Sequence, residues 1–109
     1  MKRGDVIVGV LPGDYGKPRP AVVVQSDLFN PTHPSVTICP ISSHLRETEL
    51  FRITLAPAAR SGLRQKSQVM IDKLMTIRRE RVGKIIGRLS GDEMERLDDS
   101  LRLWLALEL

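Results

Sequence analysis

Apolar and polar residues change rhythm several times along this chain, and each change marks an element. Residues 4–10, GDVIVGV, put β-branched residues after a polar start and read as a first strand. The segment LPGDYGKPRP, residues 11–20, ends it. Proline has no N–H for a ladder and glycine weakens a strand, so this stretch reads as a loop. AVVVQS at 21–26 is a nearly continuous apolar run bounded by Pro20 and Asp27, as expected of a strand buried on both faces. DLFNPTHP returns to loop chemistry. SVTICPI at 35–41 predicts another strand, SSHLRETE a polar connection, and LFRITLA at 50–56 a further alternating segment.

In the second half, PAARSGL at 57–63 predicts one helical turn ended by Gly62, and SQVMIDKLMTI at 67–77 a single strand. RRERVGKIIGRL carries short apolar pairs separated by Gly83 and Gly87, which suit a small strand returning to the sheet better than a helix. Ser90 followed by Glu93 is a capping-box pattern. Beyond it Met94, Leu97, Leu101 and Trp104 or Leu105 fall on one helical stripe, which suits core or dimer contact. No repeat or linker interrupts the pattern. The expected fold is one α+β domain over residues 1–109, dominated by a small curled antiparallel sheet and closed by a C-terminal helix.

Composition adds a size limit and a charge. With 109 residues and 41% hydrophobic content, the chain supports one modest core, and a second copy would bury apolar surface that one chain leaves bare. A formal net charge of +4 favours a polyanionic partner. The aromatics are few, Tyr15, Phe29, Phe51 and Trp104, which argues against an extensive stacking platform for single strands. The lone Cys39 has no metal-ligand spacing around it and fits a reducing cytoplasm. No stretch has the length of a membrane span or the form of a secretion signal, so a cytoplasmic protein without membrane contact is expected. Phosphate-loop, zinc and nucleophile-elbow motifs are missing from the sequence.

What remains is a set of polar residues at strand edges: Asp14, Lys17 and Arg19 in the first loop, and Ser42, Ser43 and His44 after SVTICPI. Each has a plainer alternative. Arg19 pairs with Asp14 or Asp27, Ser42 caps a turn, His44 is a solvated loop histidine, and Asp14 is an ordinary turn residue. Lys2, Arg3, Arg46, Arg52, Arg60 and Arg64 either track a nucleic-acid backbone or are solvated charges. Asp72 suits a structural hydrogen bond.

Residues 3–27 read RGDVIVGVLPGDYGKPRPAVVVQSD, CPISS follows, and SGLRQKSQVMIDKLMTIRRERVGKIIGRLS precedes the terminal helix. This ordered set resembles the MazF/PemK family of toxin endoribonucleases over nearly the full chain. The resemblance implies an SH3-like barrel with short helices, a homodimer, and cofactor-free, metal-independent cleavage of single-stranded RNA at short sequences, restrained by a cognate antitoxin. It places the family's catalytic arginine, just before the proline opening the second strand, on Arg19. The hydroxyl partner, often threonine, falls on Ser42, and the acidic residue five positions ahead of the arginine falls on Asp14. Serine keeps the hydroxyl without the methyl that restricts its rotamer, and aspartate is one methylene shorter than the glutamate of some members. Lys17, Ser43, His44 and Arg46 then become RNA-binding residues.

The chemistry suits these groups. RNA self-cleavage needs a proton acceptor at the 2′-oxygen, stabilisation of the charged phosphorane, and a proton for the departing 5′-oxygen; it leaves a 2′,3′-cyclic phosphate and a 5′-hydroxyl. Arginine offers a permanently charged fork of donors to phosphate oxygens. Two other outcomes are carried on the same barrel: a non-catalytic toxin that poisons DNA gyrase, and an RNA-binding barrel without catalysis.

Overall fold

The computed structural model describes residues 1–108. Seven strands run in chain order, β1 (Asp5–Val10), β2 (Pro18–Val23), β3 (Ser35–Ser42), β4 (Arg52–Leu55), β5 (Ser67–Met70), β6 (Met75–Arg78) and β7 (Val82–Arg88), followed by one helix, α1 (Gly91–Leu105). Every pairing is antiparallel, in the order β4-β5-β3-β2-β1-β7, with β6 beside β3. This is the expected α+β, barrel-like architecture. The ladder itself stays open between β4 and β7.

The turn after β4 covers that opening. Arg88 donates its backbone N–H to the Arg60 carbonyl at 2.9 Å, which lays residues 57–63 against β7. Two glycines make the approach possible. A Cβ at Gly62, where φ is +75°, would meet the Ile86 carbonyl oxygen at 2.4 Å, and one at Gly87 would meet the Arg60 oxygen at 2.3 Å.

Alternation along the central strands divides the interior into two cores. Val6, Val22, Cys39 and Ile41 join Ile53, Leu55, Val69, Ile71, Leu97 and Leu101 on the side covered by α1. Their neighbours in sequence, Ile7, Ala21, Val23, Val36 and Ile38, pack with Leu11 and Ile77 on the other face. The run AVVV is accordingly buried on both sides, as its lack of polar positions implies. Helix α1 begins as its sequence indicates: Ser90 Oγ accepts from the Glu93 N–H at 3.1 Å, and the Glu93 carboxylate accepts from the Ser90 N–H at 2.8 Å. Its stripe buries Leu97 and Leu101, while the Trp104 ring rests on Phe51 with centroids 5.4 Å apart. Among the described residues no helix is long and apolar enough to cross a membrane.

Three expectations change. The strand AVVVQS begins earlier, at Pro18, and ends at Val23. Residues 18–20 have only β1 as neighbour, so the missing N–H groups of Pro18 and Pro20 leave no gap in a ladder. Residues 67–77 are two strands rather than one: a single 3₁₀ turn at Ile71–Lys73 separates β5 from β6, which pair with opposite ends of β3. Residues 57–63 form a turn bridged between Ala58 and Leu63, not a helix.

The 3₁₀ turn is held by a side-chain pair. Asp72 accepts two hydrogen bonds from Arg52 on β4, at 2.8 and 3.0 Å, with side chains only 14% and 10% exposed. Asp72 is therefore structural, and Arg52 is not available to track a polyanion. Arg3 is also committed, to Asp98 at 2.7 Å and to the Val24 carbonyl, and Arg60 faces Glu93 at 3.3 Å.

Because one charge of a buried pair is costly without the other, Asp72→Asn is expected to lower stability by roughly 3 kcal/mol. The double variant Arg52→Met, Asp72→Leu should recover most of that loss; urea unfolding midpoints of the three chains measure it. Cys39 supplies a pH test. Burial pushes its thiol from 9.0 up to about 12. The unfolded chain therefore releases this proton first as pH rises past 9, so the associated stability is complete below 9.0 and is lost toward 12. Stability measured by urea from neutral to alkaline pH should fall less steeply in Cys39→Ala, the wild-type excess slope being at most about 1.4 kcal/mol per pH unit.

Candidate active site

The sheet opens where β2 and β3 part. Their pairing runs Val23↔Ile38, Val22↔Cys39 and Ala21↔Pro40 and goes no further. Pro20 has no N–H with which to extend it, while on its other edge the end of β3 pairs with β5, through Ile41↔Val69 and Ser42↔Gln68. Continuing the β2–β3 register outward by two residues sets Arg19 opposite Ser42 across the gap. The gap is a cleft of about 670 Å³ lined from the β2 side by Asp14 and Pro18–Pro20, and from the β3 side by Ile41–His44.

Five of the seven candidate residues thus meet in one cleft: Asp14, Arg19, Ser42, Ser43 and His44. Arg19 Nε lies 3.6 Å from the Asp14 carboxylate, and both side chains reach solvent, at 46% and 30% exposure. Ser42 Oγ accepts the His44 backbone N–H at 3.0 Å. That bond makes Ser42 a turn-capping residue and leaves its hydroxyl hydrogen free to donate into the cleft. Lys17 lines an adjoining hollow with Asp14 and Arg19 instead.

Arg46 lies outside the cleft lining. Its main chain is clamped by the buried Gln68 side chain, which accepts the Arg46 N–H at 2.8 Å and donates to the Arg46 carbonyl at 2.9 Å. Gln68 holds Thr54 Oγ1 as well, at 3.1 Å, so it fixes the connection between β3 and β4 from beneath.

The far wall comes from Gly62–Gln65, Ser67 and Met70. Arg64 had appeared in the sequence only as one of several basic residues, and Gln65, Ser67 and Met70 carried no signal. Their place depends on the turn that Gly62 and Gly87 let settle against β7, a contact between segments distant in sequence. Charge distribution adds to the picture. Away from the cleft, Arg3, Arg52, Arg60, Arg88, Arg96 and Arg102 each face a carboxylate. Lys17 and Arg64 at the cleft make no ion pair among the described residues, which leaves positive charge there for an anion.

Among the described residues no three His, Cys, Asp or Glu side chains gather as ligands for a metal ion. The cleft offers an arginine, a carboxylate, a hydroxyl donor and an imidazole, the groups that grip a phosphodiester and move protons around it.

A small barrel-like antiparallel sheet with such a set at its β2–β3 seam defines an α+β domain whose cleft suits an anion. The chain belongs to the family of PemK-like, MazF-like toxins of type II toxin–antitoxin systems, whose model matches residues 2–105. It is 37% identical over 108 residues to a Mycolicibacterium smegmatis protein named "Probable endoribonuclease MazF", covering 98% of each chain. It is 28% identical over 111 residues to Endoribonuclease EndoA of Bacillus subtilis, covering 98% of this chain and 96% of the other. A mycobacterial endoribonuclease solved in complex with its cognate antitoxin superposes with a TM-score of 0.84 at 17% identity, over 100% of this chain and 98% of that one.

Proposed function

We propose that this chain is the endoribonuclease toxin of a type II toxin–antitoxin system, cutting single-stranded RNA without a metal ion and thereby blocking translation. The observation that carries it is the β2–β3 register, which sets Arg19 opposite Ser42 at the mouth of a cleft also holding Asp14. In this reaction the scissile phosphate sits between Arg19 and Ser42, with the guanidinium fork and the free serine hydrogen on its non-bridging oxygens. Asp14 accepts the proton of the 2′-hydroxyl, whose oxygen attacks phosphorus. The bond to the 5′-oxygen breaks, and His44 at the rim supplies that oxygen with a proton. The products are a 2′,3′-cyclic phosphate and a 5′-hydroxyl, so protons balance and nothing is oxidised or reduced. Because charge grows on the phosphorane, the arginine binds the transition state more tightly than the substrate.

Ser43 and Arg64 follow the strand along the cleft, and Lys17 meets it beyond Arg19. A homodimer and a cognate antitoxin complete the assignment. The positive cleft suits an inhibitor whose acidic, disordered segment folds over it and competes with RNA. The same chemistry separates this function from gyrase poisoning, which needs no cut in RNA.

Incubation with a long unstructured RNA in excess EDTA should give cuts at one short motif with cyclic-phosphate ends. Arg19→Ala is expected to lose on the order of 10²-fold or more in kcat/KM. Ser42→Ala should lose roughly 10- to 100-fold and Ser42→Thr should stay near wild type, since one hydrogen bond to an anionic oxygen is worth about 1.5–3 kcal/mol. Intact RNA with a folded wild-type chain, or equal cutting by Arg19→Ala, would overturn the assignment.

A further inference from the structure

Tyr15 stands out against the rest of the molecule. It is fully exposed, and its backbone takes φ of +51°, between Gly13 at +87° and Gly16 at +79°. A left-handed conformation is unfavourable for a bulky side chain, and glycine or asparagine would make the same turn without that strain. Nothing in the fold repays it: the Tyr15 hydroxyl makes no hydrogen bond and the ring has no aromatic partner among the described residues. An exposed aromatic ring held in a strained backbone is the pattern of a residue kept for something outside the chain.

Its position says what. The hollow beside the cleft, about 520 Å³, is lined by Gly13–Lys17 and Arg19, and it shares Asp14 and Arg19 with the cleft. Tyr15 is the sole Phe, Tyr or Trp in either lining, and the His44 imidazole lies in the cleft and not in the hollow. The other three aromatics are placed elsewhere: Phe51 packs against Trp104, and Phe29 belongs to the connection between β2 and β3. Lys17, which makes no ion pair among the described residues, lines the same hollow. A ring and an ammonium group side by side suit the two parts of a nucleotide, a base that stacks and a phosphate that needs a counter-charge.

We infer that Tyr15 is a stacking platform for the base adjoining the scissile phosphate, with Lys17 on the phosphate next to it, making a one-nucleotide subsite. The subsite rests on the endoribonuclease activity proposed above. It explains how a chain with scarce aromatics still holds a single strand: one ring, placed at the bond to be cut. A stacked base is read by its face and not its edge, so this subsite contributes affinity and positioning while tolerating different bases.

The test begins by mapping the cut site of the wild-type chain, then uses a short oligoribonucleotide spanning it and a set in which each neighbouring nucleotide in turn is abasic. Tyr15→Ala should raise KM on the order of 10-fold with kcat changed little, and Tyr15→Phe should remain near wild type. For wild type, one abasic position should raise KM by a similar factor, and Tyr15→Ala should show no further loss on that oligonucleotide. Tyr15→Gly should lose the same affinity while its thermal unfolding midpoint holds or rises, since the strain is relieved. Unchanged KM in Tyr15→Ala overturns the subsite and leaves the nuclease assignment standing. So does an equal loss on every abasic oligonucleotide, and so does a loss confined to binding an acidic antitoxin peptide. A wild-type chain that neither cuts nor binds the RNA overturns both.

Discussion

The hydrogen bonding of β3 is the constraint on which the rest of the molecule depends. This one strand pairs along one edge with β6 and then β5, and along the other with β2 over residues 38–40 alone. Sharing a strand among three neighbours curls the sheet, and it leaves the β2 edge of β3 unpaired beyond Pro40. β2 leaves at Ala21, where the next residue outward cannot donate, and the resulting seam is the cleft. The prolines that make residues 11–20 read as a loop are thus the chemical reason an opening exists beside Arg19. Pairing continued to Ser42 would have filled with ladder hydrogen bonds the space a phosphate needs.

Charge is distributed to the same effect. Acidic residues serve mainly to hold segments together: Asp72 fixes the turn between β5 and β6, Asp98 takes Arg3, and Asp5 accepts the Lys2 N–H while facing Arg88. Asp27 accepts the Arg3 N–H and the Asn30 amide, and those bonds hold its carboxyl below the ordinary carboxylate value. The Arg-Gly-Asp start and the aspartate after the AVVVQS run are therefore parts of one knot that ties the N-terminus to the end of β2 and to α1. Lys17 and Arg64, beside the cleft, are among the cations these carboxylates leave without an ion pair, so the charge there depends on where the carboxylates went as well as on where the lysines and arginines are.

Much of this was legible in the chain. Strands β1, β3, β4 and β7 and the capped helix follow from alternation, glycine placement and the Ser90–Glu93 pair, all of which act within a few residues. The break at Ile71–Lys73 was hidden, because the apolar run continues through it and its cause is an arginine from another strand. The early start of β2 was hidden for the opposite reason: proline looks like a strand breaker until the edge it faces is known to be empty. At the site, the linear neighbours of Arg19 and Ser42 could be named, whereas the wall containing Arg64, Gln65 and Met70 comes from a tertiary contact that no local pattern encodes. Arg46, close to Ser42 in sequence, has its main chain fixed by Gln68 and its side chain exposed outside the cleft lining.

The burial of Cys39 takes the chain's one thiol out of reach of the oxidants around it. The chain's one thiol lies in the packed interior, and the low dielectric there keeps it protonated. Glutathione, peroxide and disulfide partners all act on an accessible thiolate, so none has a handle on the folded chain through this residue. Arg19, Asp14 and Ser42 bring to the cleft a guanidinium, a carboxylate and a hydroxyl, none of which changes with redox state. A thiol switch is thus closed to the folded chain, and unfolding is the step that would open it.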